Sequence, residues 1–316
     1  MSTWRAHLLA HLAAERATLL ERLLGLDERA LTASPVFDDW TAKDLLAHVA
    51  GWDELFAARI EFILAGRAEE IISVEADPRN VLLYAERHDW PLAQALEGFV
   101  GARASFLAAL ARLSDEELHR RRRFVWGEAS IREWTEWRAR HDAAHSAAIE
   151  AWAKGSRRKT GCTEILLAAL HAAREEFLAA AALVPQRERG SRPICGEWTL
   201  KDVLGHLADW ERLGAQGLRQ MAAGQSLQVG FDGDVEAWNR AHLETHYGQS
   251  WESLEVDLSA ARSALLQVLT GVSQSDLGRS CSHPFEAEST PYRWVWSFLS
   301  HDREHARDLR YREGIT

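Results

Sequence analysis

Residues 39–60 read DWTAKDLLAHVAGWDELFAARI, and residues 197–218 read EWTLKDVLGHLADWERLGAQGL, so the chain contains an internal repeat. Aligned without gaps, the two segments share ten of 22 positions at an offset of 158 residues. A second pair of segments, WTEWRARHDAAH at 134–145 and WVWSFLSHDREH at 294–305, repeats at an offset of 160. Because the offset changes by only two residues across half the chain, the sequence is a tandem duplication of one domain.

The length and the repeat together predict two domains. The chain has 316 residues, and a domain typically holds roughly 100–200 residues. The stretch 153–161, AKGSRRKTG, is polar, basic and rich in glycine, as linkers tend to be. We therefore predict one domain at residues 1–154 and a second at 161–316, each long enough to bury its own core.

Each half has the pattern of four helices and no strand pattern of convincing length. Alanine, leucine, glutamate and arginine are abundant and only seven prolines occur, which favours helices. The predicted helices of the first half cover about 3–24, 41–66, a segment after Pro91 and about 130–152, and those of the second half include segments that begin at Thr199, near Trp251 and at Pro291 after Thr290. We therefore predict an all-α fold of two up-down-type four-helix bundles, in which the longer second connection has room to cross over.

Three histidines recur at equivalent positions in both halves. His141 and His145 are four residues apart, which places both rings on one helix face, and His48 lies in an apolar stretch of another helix. The equivalent residues of the second half are His206, His301 and His305. A single histidine on an apolar face is more often a hydrogen-bonded core residue, but the recurrence of all three favours one divalent metal ion per domain. Three imidazoles leave a tetrahedral site open at its fourth position, and they suit zinc first and nickel next.

The motif around these histidines is similar to that of a known family. The pattern W-[ST]-x-K-D-[LV]-L-x-H-[LV]-x-x-W, followed about ninety residues later by HxxxH, resembles the DinB/YfiT-like superfamily of metal-binding four-helix bundles. Trp238 and Asn239 are similar to a segment of one large subfamily, of which the first half keeps only Asn80. The resemblance covers essentially the whole chain, once per half.

The resemblance implies more than the fold. It implies that the two sets of three histidines are metal ligands. Single-domain relatives often pair, which implies two halves packed as a pseudo-dimer, in a monomer or in a homodimer. Relatives include thiol-dependent transferases and isomerases, hydrolase-like proteins and toxin-resistance proteins. The resemblance therefore implies the metal site more strongly than it implies any one reaction.

No candidate for a general base is shared by both halves. Glu304 lies between two of the repeated histidines, but the first half has Ala144 at that position. Asp142 and Asp302 are shared, yet each lies about 100° around the helix from the preceding histidine. We interpret these aspartates as surface groups rather than as groups that support a ligand, and we assign no catalytic residue.

The remaining aromatic residues and histidines favour a core role. The chain has 14 tryptophans, and Trp40, Trp52 and Trp134 lie beside the metal motifs. We interpret most of them as core residues, some of which wall an apolar pocket for a substrate. His11 and His171 recur in the first helix of each half, where we expect them to pack beside the core rather than to line the pocket.

Composition excludes several classes of partner. The formal net charge is −10, so phosphate backbones and anionic membranes repel the chain, and we expect neither nucleic acid nor membrane as a partner. The sequence contains no run of about 20 uncharged apolar residues, so we expect no membrane-spanning helix. The three cysteines are widely spaced and form no CxxC pattern, which favours reduced thiols and a cytoplasmic protein without a signal peptide.

Two functional hypotheses follow from the sequence. The first is a metal-dependent transferase or hydrolase that acts on a small molecule with a low-molecular-weight thiol as cosubstrate. The second is a non-catalytic binding or resistance protein, in which a structural metal braces the bundle and a tryptophan-rich cavity holds a small ligand. The open histidine site favours the first hypothesis, and the missing shared base favours the second.

Overall fold

The computed structural model describes residues 3–72, 74–124, 127–156, 160–228, 234–282 and 289–314. The described chain is predominantly helical, which confirms the predicted fold class, and it divides into two compact units, Met1–Arg157 and Arg158–Thr316. No helix within the described ranges combines the length and the apolar character that crossing a membrane requires.

Four long helices form the first unit, and short elements fill their connections. The long helices are α1 (Thr3–Leu23), α3 (Ala42–Leu64), α5 (Leu92–Ala111) and α7 (Ile131–Trp152). The short elements are helix α2 (Glu28–Ala33), hairpin β1 (Pro35–Phe37) with β2 (Trp40–Thr41), a 3₁₀ turn (Ala68–Glu70), helices α4 (Ala76–Arg87) and α6 (Asp115–His119), and hairpin β3 (Arg122–Phe124) with β4 (Gly127–Ala129). The long helices match the predicted segments to within a few residues at each end.

The second unit repeats this order. Its long helices are α8 (Thr163–Ala181), α9 (Leu200–Ala222), α11 (Trp251–Thr270) and α13 (Pro291–Arg312). Its described short elements are a 3₁₀ turn (Gln186–Glu188), hairpin β5 (Pro193–Cys195) with β6 (Trp198–Thr199), and helices α10 (Val235–Thr245) and α12 (Gln274–Leu277). The largest helix interfaces join α9 to α11 and α8 to α13, as α3 joins α5 and α1 joins α7 in the first unit.

The predicted caps fix where α3 and α9 begin. The Thr41 hydroxyl accepts a hydrogen bond from the Asp44 amide at 3.3 Å, and the Asp44 carboxylate accepts one from the Thr41 amide at 2.9 Å. Thr199 and Asp202 form the same capping box in α9. Each box satisfies amides that a helix start leaves without partners, so the first turn of the helix is held beside the histidine that follows.

The second and third long helices of the first unit run parallel. Asp53 of α3 pairs with Arg103 of α5, and Glu61 pairs with Arg112, so the partners advance together along both helices. The connection between them therefore crosses the length of the bundle, a course for which its length left room. The crossing segment contains α4, a helix that the sequence patterns did not predict. Helix α4 packs against α3, where the absence of a side chain at Gly51 lets Leu83 approach the α3 backbone.

The first and fourth long helices are also parallel to each other. Arg16 of α1 pairs with Asp142 of α7, and Arg22 pairs with Glu150. Helix α7 runs antiparallel to α3, because Phe56 of α3 contacts Trp134 near the start of α7, whereas His48 contacts a residue further along it. The first unit is therefore an up-down-down-up bundle, in which α7 and α3 face each other across the core.

Candidate metal centres

In the first unit, the structure brings together the three predicted histidines. His48 lies in the second turn of α3, and His141 and His145 lie one turn apart in the middle of α7. The Nε2 atom of His141 is 3.0 Å from Nε2 of His48 and 3.2 Å from Nε2 of His145. All three ligand atoms lie within 4.8 Å of one another, so one small ion could contact them all. We call this set the first triad.

The second unit builds the same arrangement from α9 and α13. The Nε2 atom of His301 is 2.9 Å from Nε2 of His206 and 3.1 Å from Nε2 of His305. These three ligand atoms also lie within 4.8 Å of one another. This set is the second triad, and its two Nε2–Nε2 distances each differ by 0.1 Å from those of the first.

The contacts within each triad fit a cation better than they fit hydrogen bonding alone. A neutral ring nitrogen carries either one proton or one lone pair, so His141 Nε2 can form only one of its two short contacts as a hydrogen bond. The same holds for His301 Nε2. A cation between the rings would accept all three lone pairs at once. Zinc–nitrogen bonds of about 2.0–2.1 Å in a tetrahedral site separate the nitrogens by about 3.3 Å, close to the distances found here.

Burial keeps these imidazoles in the neutral form that binds metals. Burial, with the neighbouring His145 and Arg138, lowers the pKa of His48 to about 3. Burial lowers the pKa of His145 to about 4, and burial with His305 lowers that of His301 to about 3. The lone pairs are therefore available at neutral pH.

Packing against aromatic side chains, more than hydrogen bonds from the Nδ1 atoms, orients the rings of the first triad. The Nδ1 atoms of His48 and His141 are buried and have no hydrogen-bond partner among the described residues. Trp40 packs edge-on against His48 at 5.3 Å between ring centroids, and Trp52 lies 6.4 Å from both His48 and His141. Asn80 of the crossover helix accepts a hydrogen bond from the Trp52 indole at 3.1 Å and so fixes this wall.

The second triad has an equivalent wall. The ring of Trp198 is 4.8 Å from that of His206, and Trp210 lies 6.2 Å from His206. Asn239 accepts a hydrogen bond from the Trp210 indole at 2.9 Å. Asn80 and Asn239 thus have the same contact in both units, although the Trp238 that precedes Asn239 has no tryptophan counterpart beside Asn80.

A buried ionic network lies beneath the first triad. Asp53 accepts hydrogen bonds from Arg16 at 2.7 Å, from Arg103 at 2.9 Å and from Arg138 at 2.9 Å. Asp142 binds the same three arginines, at 2.8 to 3.4 Å. Although burial raises the pKa of Asp53, the arginines outweigh burial and lower it. Three guanidinium groups face two carboxylates, so the network carries one positive charge in excess.

The network of the second unit has one guanidinium group fewer, and burial raises the pKa of its Glu211 carboxyl. Arg174 contacts Glu211 at 2.6 Å and Asp302 at 3.1 Å, and Arg262 contacts the same two carboxylates. Phe298 occupies the position equivalent to Arg138. Two guanidinium groups therefore face two carboxylates.

The interpretation of Asp142 and Asp302 as surface groups is wrong. Both side chains are fully buried, and both anchor an ionic network one residue after a triad histidine. The helical-wheel argument placed them away from the histidines but did not identify the arginines that they face. The repeat did not reveal these arginines, because the first-helix alignment that pairs His11 with His171 pairs Arg16 with Glu176 and not with Arg174.

A comparison with models of protein families identifies the family of this chain. The model of the DinB superfamily matches twice, over residues 11–149 and 169–309, so it covers most of both units. The chain belongs to the DinB superfamily. Comparisons with the curated proteins and with the solved structures returned no significant match. The two matches confirm the resemblance and the tandem duplication, and the histidine clusters fit divalent-metal binding by this DinB-superfamily protein.

The other histidines named in the sequence lie apart from the triads. His11 is half-buried, with Nδ1 3.9 Å from the Glu15 carboxylate, and His171 is exposed. Neither belongs to a group of potential ligands among the described residues. His246 is different, because it is buried and its Nε2 lies 2.6 Å from Asp209, where it joins the crossover helix α10 to α9.

A pocket opens beside the second triad of this DinB-superfamily protein. It has a volume of about 360 Å³, and one face of α13 lines it. The residues that line it are Arg293, Trp296, Ser297, Ser300, His301 and Glu304. His301 belongs to both the pocket and the second triad, so the pocket adjoins the candidate metal centre.

Proposed function

We propose that this protein is a divalent-metal-dependent transferase or hydrolase that acts on a small electrophilic substrate, with a low-molecular-weight thiol as cosubstrate. The observation that carries the proposal is the convergence of three neutral Nε2 atoms beside an open pocket. Zinc is the proposed ion and nickel the next, because imidazole nitrogens suit both.

The residues named here would hold one ion per unit. His48, His141 and His145 would bind it in the first unit, and His206, His301 and His305 in the second. A divalent ion in such a site supplies Lewis acidity, which lowers the pKa of a bound water or thiol toward neutrality. Three protein ligands are the pattern of catalytic zinc sites, whereas structural zinc sites usually have four.

The pocket of the second unit supplies the groups that would orient a substrate. The Arg293 guanidinium can bind an anionic group, and Trp296 offers an apolar face. Ser297 and Ser300 can donate or accept hydrogen bonds between them. Because these residues follow one helix face toward His301, an extended substrate with an acidic end would place its other end at the triad.

Glu304 is the group of the second pocket that could accept a proton beside the triad. It lines the pocket three residues after His301, and its carboxylate is exposed to solvent that could carry the proton away. The first unit has Ala144 at the equivalent position. We therefore propose that turnover resides mainly in the second unit.

Elemental analysis and turnover together test this function. We would compare untagged wild-type protein with the His48→Ala/His206→Ala variant, and with the His11→Ala/His171→Ala variant as a control that also removes one histidine per unit. The proposal expects at least one ion per unit in the wild type and the control, and in the first variant the loss of about one ion per unit together with the turnover of thiol with electrophile. Full activity in the His48→Ala/His206→Ala variant would rule out metal catalysis.

The tryptophan walls favour a second candidate function. Trp52 and Trp210 each lie beside a triad, whereas Glu304, the carboxylate of the pocket beside the second triad, is replaced by Ala144 in the first unit. A protein that captures an apolar ligand beside a bracing metal would have these features without a shared base. Stoichiometric ligand capture without product would support this function, and turnover beyond one equivalent would exclude it.

A further inference from the structure

A further group of potential ligands lies next to the second triad. Cys195 ends strand β5, and His305 and Asp308 lie three residues apart on α13. One ligand atom from each of these three residues lies within 4.8 Å of the others. The group combines a thiol, an imidazole and a carboxylate, which are the three donor types that bind zinc-like ions in proteins.

The first unit has no equivalent group at these positions. The counterpart of Cys195 is Phe37, which ends strand β1 and stacks on Trp40. The counterpart of Asp308 is Ala148, so only the histidine, His145, is shared. The duplicated fold therefore presents the same backbone positions twice, with metal-binding side chains at all three in one unit alone.

The three side chains extend from the triad toward solvent. His305 is buried at 8% exposure, Cys195 is half-buried, and Asp308 is exposed. An ion could therefore reach Cys195 and Asp308 from solution without passing between the bundle helices. Glu304 lies one residue before His305 and adds a second exposed carboxylate to this edge of α13.

We propose that Cys195, His305 and Asp308 form a second cation position in this unit, selective for thiophilic divalent ions such as Cd²⁺ and Zn²⁺. Binding would deprotonate the Cys195 thiol, and the proton would pass to solvent. An imidazole has two ring nitrogens, so His305 would serve the triad and the new position together by also releasing its ring N–H proton to solvent. The second unit would then hold one ion more than the first.

The first test is a Cd²⁺ titration of metal-free protein, because cadmium–thiolate bonds give a charge-transfer band in the ultraviolet. We expect the band in wild type, its loss in Cys195→Ser, and its retention in Cys162→Ser and Cys281→Ser. Asp308→Ala should weaken Cd²⁺ binding by about tenfold. A band that persists in Cys195→Ser, or no band in wild type, would overturn the proposal.

A second variant separates the new position from the triad. His301→Ala removes a triad ligand and leaves Cys195, His305 and Asp308 in place, so the band should persist. Elemental analysis should find one Cd²⁺ fewer in Cys195→Ser than in wild type. Equal counts, or loss of the band in a folded His301→Ala protein, would show that Cys195 only joins the triad ion, and would overturn a separate position. Wild-type protein that gives the band but binds no metal at the triads would instead count against the proposed function alone.

Discussion

Asp53 is a fully buried carboxylate that three arginines hold in its charged form. Asp53→Asn removes the charge and leaves three guanidinium groups around a neutral amide. Because breaking a buried ion pair from one side leaves uncompensated charge, we expect the free energy of unfolding of the first unit to fall by about 3–5 kcal/mol. Urea denaturation measures this change.

The control is an exposed pair of the same chemistry. Glu70 pairs with Arg67 at the surface, at 3.3 Å. Glu70→Gln should change the free energy of unfolding by less than about 1 kcal/mol. Similar losses in Asp53→Asn and Glu70→Gln would contradict the role that we assign to the network.

The triad histidines make the metal-free protein sensitive to acid. Mainly through burial, the pKa of His145 falls to about 4, and those of His48 and His301 to about 3, from a usual value of 6.5. As the pH falls below about 6.5, these residues take up protons in the unfolded chain but remain neutral in the folded protein. Stability is therefore complete above pH 6.5 and is lost progressively toward pH 3.

Urea midpoints of metal-free protein between pH 7 and pH 5 measure this loss. His48→Gln/His206→Gln should flatten the pH dependence, because two of the histidines with lowered pKa values are gone. His119→Gln, at an exposed position at the end of α6, should leave the wild-type slope. A slope that is equally steep in the triad variant would refute this explanation.

At the residue scale, the sequence indicated the triads but not what lies beneath them. Three histidines at fixed positions in two copies are visible as a repeat, because they combine one residue type with helical spacing. The ionic network joins α1, α3, α5 and α7, and its partners are up to 126 residues apart, so no local spacing connects Arg16 to Asp142. Only the packed bundle brings these charges together.

The capping boxes fix where α3 and α9 begin, and so they fix the positions of His48 and His206 along the bundle. Thr41→Ala and Thr199→Ala each remove the hydroxyl that accepts the N3 amide, and each should lower the free energy of unfolding of its own unit by about 0.5–2 kcal/mol. The capping Asp44 and Asp202 would also lose one partner each. Thermal unfolding measures the loss.

Thr32→Ala is the matched control for the caps. The Thr32 hydroxyl donates to the Glu28 carbonyl within α2 and is exposed to solvent, so its removal should have little effect. If the two cap variants were as stable as Thr32→Ala, the capping boxes would contribute nothing beyond ordinary helix propensity.

At the element scale, amphipathic spacing and caps predicted the long helices, whereas the short elements were not predicted. The crossover helices α4 and α10 have few buried side chains, so their apolar pattern is weak. Individual contacts with the long helices hold them in place. For example, the ring of His246 packs so closely on Gly205 that a Cβ atom at Gly205 would clash with it. The strands are two or three residues long, which is too short for a period-two pattern to be recognised.

The two triads have similar Nε2–Nε2 distances but different electrostatic surroundings. The first network has one excess positive charge, and Arg138 is among the causes that lower the pKa of all three first-triad histidines. The same repulsion acts on a bound cation. We therefore expect the second triad to bind Zn²⁺ at least about tenfold more tightly than the first, as two unit charges separated by several ångströms in partly polar surroundings would produce.

Calorimetric titration of single-site proteins measures the difference. His206→Ala leaves the first triad and His48→Ala leaves the second, both in a Cys195→Ser background so that only triad binding is compared. Arg121→Gln, which changes an exposed arginine of the first unit, should not alter the first affinity. Equal affinities at the two triads would show that the network charge is screened from the metal position.

At the scale of the molecule, the tandem duplication allowed the fold and the candidate metal site to be predicted from the sequence. Each copy served as a control for the other, so features shared by both units could be separated from features of one unit. The same comparison could not predict the chemistry, because the residues beside the triads, such as Ala144 and Glu304, differ between the copies. Both units have the fold and the three histidines, while the residues around the histidines differ.

The tryptophan walls have a practical consequence. Trp52 lies 6.4 Å from His141, and Trp210 lies 6.4 Å from His301. At such separations an ion with unpaired d electrons, such as Co²⁺ or Cu²⁺, quenches indole fluorescence, whereas Zn²⁺ does not. The protein therefore carries an intrinsic optical reporter in each unit, and displacement of Co²⁺ by Zn²⁺ would be followed as a recovery of emission without any added dye.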